Sequence, residues 1–549
     1  MHRTENGFCV TLRFHQTGLY FYYFRIADEY FGCGNFRNGA FMPQVNLVSW
    51  QITVYDEEYH TPEWMKGGVM YQIFPDRFNK DGDYPVREGK ILRNDWGGLP
   101  SYRPNEAGKV LNNDFFGGNL NGITEKLDYL QSLGVTVLYL NPVFEAYSNH
   151  RYDTGDYLKI DPLLGTEQDF DRLTEEAGKR GIRIILDAVL NHTGSDSRYF
   201  NKYGHYDSLG AYQSQSSPYY DWYHFQSFPN TYDSWWGIDT LPAVNEASPS
   251  YQQFIFGQEG VLQHWLNHGI SGYRLDVADE LPDFFLEKLR KTVKEVSPEA
   301  VIIGEVWEDA SNKIAYSERR KYLQGNELDS VMNYPLKDAI IHFVQTGKTF
   351  QLRETLSMLL DNYPKETVDC LMNILGTHDT PRILTVFGGK TCSGKDEMAV
   401  TFMTERDKAR AKQQVMMAAV LQFTLPGVPC IYYGDENAME GYQDPFCRRC
   451  FDWINTDEEL LAFYQKLGQI RRQSDVFRNG EYREIFADSG CLVYERRTAE
   501  EAIYVWVNNS HGEYSIHADG TYRELLTDTI FSDRLECRPK SYGLFRKIK

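Results

Sequence analysis

The chain has 549 residues, 77 acidic against 57 basic side chains, and a net charge of −20. Such acidity repels a phosphate backbone or an anionic bilayer, no basic stripe interrupts it, and no apolar run reaches the ~18 residues of a membrane span. Nucleic acid and membrane are therefore excluded as partners, while a neutral polyol such as a carbohydrate is compatible.

The opening MHRTENGFCV (1–10) lacks the apolar core of a signal peptide. Nine cysteines are scattered without a disulfide-like framework, which fits a reducing compartment. A cytoplasmic location is expected. Residues 1–60 read as strands CVTLRF, LYFYYFRI and VSWQITVYD between Gly- and Asn-containing turns, resembling part of a β-sandwich. This unit is too short to stand alone and should lean on its neighbour.

From Val69 the pattern becomes short apolar strands alternating with amphipathic helices. VMYQIFP (69–75), VTVLYLNP (135–142), IRIILDAVLNH (182–192), GYRLDVADE (272–280), VIIGEVW (301–307), VMNYP (331–335), LMNILGTHD (371–379) and VPCIYYGD (428–435) give eight strands. Helices are predicted over 121–134, 166–181 (Thr N-cap, closing Gly), 249–268, 281–295 and 456–473. Eight strand–helix units predict an α/β fold, a closed (β/α)8 TIM barrel over 61–473. The long irregular stretch 193–246 reads as an inserted domain, and loops of that length are usually functional. The chain then turns strand-rich, as a C-terminal antiparallel β-sandwich over 474–549. Aromatics are abundant, and clusters such as YYDWYHFQSF (219–228) and YDSWW (232–236) lie in polar stretches, which suits stacking on sugar rings.

A barrel of this kind works at the C-terminal ends of its strands. Standing there are Asp187, Asn191 and His192 on the third strand, Arg274 and Asp276 on the fourth, Glu305 on the fifth, and His378, Asp379 and Arg382 at and beyond the seventh. Arg274 and Asp276, two apart in a strand, point to the same side. Carboxylates and two histidines gathered at one mouth suit a metal site or glycoside hydrolysis, which needs one carboxylate as nucleophile or base and another as acid. Arg274 beside Asp276 is expected to lower that carboxyl's pKa, as suits a nucleophile, and the apolar setting of Glu305 suits an acid. Cys447 and Cys450 form a lone CxxC, weak as a zinc or redox signal.

DAVLNH (187–192), GYRLDVADE (272–280), GEVW (304–307) and LGTHDT (375–380) resemble the four signature regions of the α-amylase family, glycoside hydrolase family 13. YQIFPDRF (71–78), FFGGNL (115–120), SNHRYDTGDY (148–157), LPAVN (241–245), IYYGDE (431–436) and QDPFCRRC (443–450) point to its neopullulanase, cyclomaltodextrinase and maltogenic amylase group, and to amylopullulanase-like members. LPAVN departs from that group in having Ala243 where a basic residue is usual.

The resemblance implies a retaining double displacement on α-1,4-glucosidic bonds, with α-1,6 bonds as a second target, in starch, pullulan, cyclodextrins or maltooligosaccharides. Asp276 would be the nucleophile, Glu305 the acid/base and Asp379 the third carboxylate, with Asp276 and Glu305 about 5–5.5 Å apart. Arg274 would hydrogen-bond the nucleophile. His192 and His378 would hold sugar hydroxyls, and Tyr152 would lie under the ring with His150 beside it. Asp187 and Asn191 would organise the mouth, and Glu280 would shape the acceptor side. Arg382 is a substrate-binding candidate whose other reading is a salt bridge. The resemblance also extends to a structural Ca2+ on Asn79, Asp81, Asp83, Gly117 and Asn119, although Asn119 stands where the group often has Asp. A homodimer is the expected assembly. A transglycosylase on the same scaffold and a non-catalytic glucan-binding barrel are the alternatives. A metal-dependent hydrolase is disfavoured by Arg274, which sits where a cation would be wanted.

Overall fold

In the computed structural model, residues 2–4, 7–33, 36–37, 40–41 and 48–548 are described. The described N-terminal strands form separate antiparallel pairs rather than a packed sandwich. In the longest pair, β1 (Gly18–Tyr22) lies against β2 (Trp50–Val54), with Tyr20 opposite Ile52. The strand expected over 9–14 is absent: an earlier strand ends at Cys9 and the chain is irregular beyond it. Val10 and Leu12 are exposed, so the alternation there has no core to face. The unit leans on the barrel through Thr53 Oγ1 to the Asn362 carbonyl (2.5 Å), Gln51 Nε2 to Ser311 Oγ (3.0 Å) and the Tyr59–Thr367 hydroxyl pair (2.8 Å).

The barrel strands are β3 (Met70–Ile73), β4 (Val137–Leu140), β5 (Arg183–Ala188), β6 (Gly272–Leu275), β7 (Val301–Gly304), β8 (Ser330–Val331), β9 (Met372–Ile374) and β10 (Val428–Tyr432). All pair in parallel, and the order β8-β7-β6-β5-β4-β3-β10-β9 closes through one bridge, Met332 to Met372. These runs are rich in Val, Ile, Leu and Met because a parallel sheet of this kind is covered on both faces. Alternate residues divide accordingly. Met70, Val137, Ile185, Ile303, Met372 and Val428 fill the barrel. Tyr71, Leu138, Ile184, Leu275, Ile302 and Ile431 face the helices.

The same parity, carried to the strand ends, turns Gln72, Asn141, Asp187, Arg274 and Glu305 inward, so the polar site sits on the apolar plug. The surrounding helices include α1 (Leu120–Glu125), α2 (Leu127–Ser132), α3 (Glu167–Lys179), α4 (Pro249–Phe256), α5 (Val261–Asn267) and α6 (Asp283–Val296). At α3, Thr166 and Asp169 form a reciprocal capping box. The single helix expected over 249–268 is two, because Gly257 and Gly260 interrupt it and hydrogen-bond to each other (2.8 Å).

Residues 193–246 contain two short 3-10 turns and a hairpin of Phe225–Ser227 with Thr231–Tyr232. Most of the aromatics there build the segment's own core: Trp222 and Tyr223 are buried, and Tyr199, Phe200 and Phe254 pack on them. Trp236, 79% exposed, and Tyr203, 54% exposed, stand outside that core.

The C-terminal unit takes the form of one antiparallel sheet: β11 (Glu481–Asp488), β12 (Cys491–Arg497), β13 (Ala502–Asn508), β14 (Tyr514–Glu524), β15 (Ile530–Cys537) and β16 (Ser541–Lys547), in the order β11-β12-β13-β16-β14-β15. One face, with Leu492, Tyr494, Val505 and Leu544, joins the main core. The other, with Cys491, Val493, Trp506 and Phe545, is covered by Tyr522 and Leu535. No helix among the described residues is long and apolar enough to cross a membrane.

One buried acid creates a pH liability. Glu327 is 1% exposed and neither carboxylate oxygen has a hydrogen-bond partner. Burial and the nearby Asp283 and Glu287 push it up to about 8, against Arg320 and Lys321. Its folded pKa is thus above its unfolded value, so the folded chain binds the extra proton and stability falls as pH rises through that window. Glu327→Gln should match wild type near pH 5 and exceed it above pH 8 by up to about 4 kcal/mol. Urea unfolding across pH measures this, and parallel stability curves for the two proteins would refute it.

Candidate active site

Strand β6 ends in the residues that organise the mouth. Arg274 is fully buried; its Nη1 donates to Asp187 Oδ1 (2.9 Å) and Asp276 Oδ1 (2.8 Å), and Nη2 lies 3.0 Å from Glu305 Oε2. The register explains the convergence: Asp187 is the β5 partner of Arg274, and Gly304 is the β7 partner of Leu275. Just past β6, Val277 takes a left-handed conformation (φ 42°), unusual for a β-branched residue. Its amide donates to Glu305 Oε2 (2.9 Å), while Trp307 Nε1 donates to Oε1 (3.1 Å). The backbone strain thus sits where one turn must follow Asp276 and hold Glu305.

Asp276 does not titrate as the sequence suggests. Burial pushes its carboxyl well above the ordinary range; Arg274 pulls the other way, and Glu305 and Asp187 add to the rise. A single guanidinium shared among three carboxylates cannot neutralise them all, so it does not offset the rise at Asp276.

Asp379 is set apart from this crowd. Burial works against its charge, but His378 Nε2 (3.0 Å from Oδ2) and Arg448 Nη2 (3.1 Å from Oδ1) outweigh it and hold the carboxyl well below the usual range. The floor is a continuous polar chain. Gln72 Nε2 pairs with His378 Nδ1 (2.9 Å), His378 Nε2 with the Tyr152 hydroxyl (2.6 Å), and that hydroxyl donates to Asp187 Oδ2 (2.8 Å). Asn141 Nδ2 donates to the Tyr152 hydroxyl (2.9 Å), and the Tyr139 hydroxyl to Asp187 Oδ2 (2.6 Å). The Tyr152 ring stacks on His378, 5.3 Å between centroids. His150 Nδ1 accepts from the Tyr152 amide (3.1 Å).

His192 is buried, stacks on Trp235 at 5.5 Å, and leaves Nε2 without a partner. Asn191 Oδ1 meets His192 Nδ1 at 3.3 Å. Burial pushes His150 down to about 3 and His192 down to about 4, so both are neutral hydrogen-bonding groups at physiological pH.

The rim carries aromatic side chains. Glu280 accepts from Trp236 Nε1 (3.1 Å) and from the Tyr316 hydroxyl. Trp307 stacks on Tyr334 at 4.0 Å and is 45% exposed. Asp279 holds the facing loop through the Tyr322 hydroxyl (2.7 Å) and Lys313 Nζ (2.9 Å). Thus Trp236, Tyr316 and Trp307 present ring surface beside the carboxylates.

Arg382 is placed elsewhere. It is fully buried between the rings of Tyr432 and Tyr433, donates to the Tyr433 carbonyl (2.6 Å) and faces Asp435 at 3.6 Å. It supports the β10 end and contacts none of the three carboxylates. Sequence reasoning missed Gln72, Asn141 and Tyr139, although the strand parity that selects Arg274 and Asp276 also selects them. It also missed Arg448, which reaches in from a loop, with Nε on the His378 carbonyl (2.8 Å) and Nη1 on Asp444 (2.9 Å). The CxxC is structural: both thiols are buried, and Cys447 Sγ meets the His378 carbonyl at 3.2 Å.

The five residues expected to hold calcium do lie together, but their donors do not fit it. Ca2+ takes six to eight oxygen ligands. Here the Asn119 side-chain amide points its nitrogen at the carbonyls of Asp81 (2.9 Å) and Gly117 (3.2 Å). Asp83 pairs with Lys80 (2.7 Å), and Asn79 Nδ2 is spent on Gly122 (3.0 Å) and Glu125 (3.2 Å). No group of three or more His, Cys, Asp or Glu residues suited to a metal occurs among the described residues.

An eight-stranded parallel barrel with Asp276, Glu305 and Asp379 beside His192, His378 and Arg274 at its C-terminal mouth defines the architecture of a glycosidase barrel. Residues 72–453 match the family description "Alpha amylase, catalytic domain", and the chain belongs to the α-amylase family. It is 37% identical to an amylopullulanase of Thermoanaerobacterium saccharolyticum over 97% of this chain and 45% of that protein. It therefore spans under half the length of that relative. Neopullulanase 2 of Thermoactinomyces vulgaris is 36% identical over 83% of this chain and 72% of its own. Among solved structures, a cyclomaltodextrinase superposes with a TM-score of 0.74 at 28% identity, covering 96% of this chain and 86% of that one. A cyclic α-maltosyl-(1→6)-maltose hydrolase from Arthrobacter globiformis gives 0.73 at 28% identity, covering 89% and 100%.

Proposed function

We propose that the protein is a retaining glycoside hydrolase acting on α-1,4-glucosidic bonds, with α-1,6 bonds as a second target, in starch, pullulan, cyclodextrins and maltooligosaccharides. The observation that carries this reading is one buried guanidinium joining Asp276 to Glu305 while Asp379 is held separately between His378 and Arg448. Ionised Asp276 attacks the anomeric carbon as Glu305 protonates the departing glycosidic oxygen, leaving a covalent glycosyl ester on Asp276. Glu305, now a carboxylate, takes a proton from water, whose oxygen displaces Asp276 and returns the protein to its starting state. The cycle needs Asp276 ionised at the moment of attack, and its contact with the Arg274 guanidinium (2.8 Å) favours that form. Asp379, kept ionised, neutral His192 and His378 are suited to bind sugar hydroxyls, with Tyr152 as the ring platform. Similarity to a neopullulanase, a cyclomaltodextrinase and a maltogenic α-amylase supports the substrate range.

Transfer to a sugar instead of water is the second reading. It is favoured by Trp236, Tyr316 and Trp307, whose exposed rings suit stacking on an incoming sugar. A panel of starch, pullulan, β-cyclodextrin and maltotriose tests both. Proton NMR should show α-anomeric products first, and oligomers longer than maltotriose appearing early would favour transfer. First products of β-configuration would sink the retaining mechanism. We also propose a cytoplasmic location, supported by the free, buried thiols of Cys370, Cys430, Cys447 and Cys450. A homodimer through the N-terminal unit is supported by its exposed Phe8, Phe21 and Tyr23.

A further inference from the structure

We propose that the loop joining Asn79–Asp83 to Gly117–Asn119 is a metal-independent substitute for a cation site, with the Asn119 amide nitrogen standing where a cation would bind. Asn119 is fully buried and bonded on both sides of its amide. Oδ1 accepts from the Gly122 amide (2.8 Å), capping α1, and from the Asp81 amide (3.4 Å). Nδ2 donates to the Asp81 and Gly117 carbonyls (2.9 and 3.2 Å). Reversing the amide would set like against like at all four contacts, so the network fixes its orientation.

Two main-chain carbonyls aimed at one buried point are what a hard cation seeks. Here that point is filled by N–H groups, which cannot share it with a metal. Lys80 places its ammonium on Asp83, so the charge of that carboxylate is also met by the chain itself. The packing leaves no slack to reshape: Asn79 passes so close to α1 that a Cβ at Gly122 would lie 2.1 Å from the Asn79 carbonyl oxygen.

Asn119→Asp replaces both N–H donors with a single carboxylate oxygen facing two carbonyls, an all-oxygen cluster that needs a cation. The test is thermal unfolding of wild type, Asn119→Asp and Asn119→Ala, each in EDTA and in millimolar CaCl2, with calorimetric titration of CaCl2 into metal-free protein. Wild type should melt at the same temperature in both and show no binding heat at this loop. Asn119→Asp should melt at least ~2 °C lower in EDTA and recover in calcium. Asn119→Ala should melt lower in both, because it loses the bonds without gaining ligands. Calcium-dependent stability in wild type that Asn119→Ala removes would overturn the proposal, as would an Asn119→Asp protein indifferent to calcium. Neither result depends on the catalytic assignment.

Discussion

Asp276→Asn should abolish turnover of maltooligosaccharides, lowering kcat by at least ~10⁴-fold, about 5 kcal/mol of barrier. The amide keeps the shape of the side chain and a contact with Arg274 but offers no anionic oxygen to form the glycosyl ester. The fold should not suffer. Asp276 is one of three carboxylates around one guanidinium, so removing its charge relieves repulsion, and the melting temperature should hold or rise. A variant that unfolds is thus distinguishable from one that folds and is inert. Steady-state rates on maltotriose decide the matter, and a variant as fast as wild type would remove Asp276 from the reaction.

Glu305→Gln should lower kcat on glucans by ~10²–10⁴-fold, the range expected when a positioned proton donor is lost. The signature is dependence on leaving group. With an α-glucosyl fluoride, whose departure needs little protonation, formation of the glycosyl ester on Asp276 should stay near the wild-type rate. Release of that ester should then be slow, because no base activates water. Added azide should restore turnover and yield the α-glycosyl azide. Equal loss on glucan and fluoride substrates, with no azide product, would show that Glu305 does not carry the proton.

The sequence made the frame of this site readable because two periodicities coincide. Alternation within each strand turns Asp187, Arg274 and Glu305 inward, and the strand–helix alternation brings distant strands to one mouth. Gln72 and Asn141 obey the same rule but resemble ordinary polar residues when read singly. Arg448 obeys none, since it reaches Asp379 from a loop. The Asp276 pKa runs against the expectation because burial outweighs the neighbouring arginine, whose charge is also shared with Asp187 and Glu305. The aromatics of 193–246 were misjudged in the other direction: burial of Trp222 and exposure of Trp236 are set by tertiary packing, which composition does not contain. At the N-terminus, CVTLRF has strand chemistry, but strand formation also requires a partner and a face to bury.

The barrel is closed between β8 and β9 by a single backbone bridge, Met332 to Met372, reinforced by the Asn333–Asn373 side-chain contact at 2.9 Å. This seam has mechanical meaning. Asp276 and Glu305 stand on one side of it, and Asp379, beyond β9, stands on the other. A thinly bonded joint is where a closed sheet breathes at least cost. The Asp276–Glu305 side of the mouth, tied together by Arg274, and the Asp379 side are thus joined across the most thinly bonded seam of the sheet.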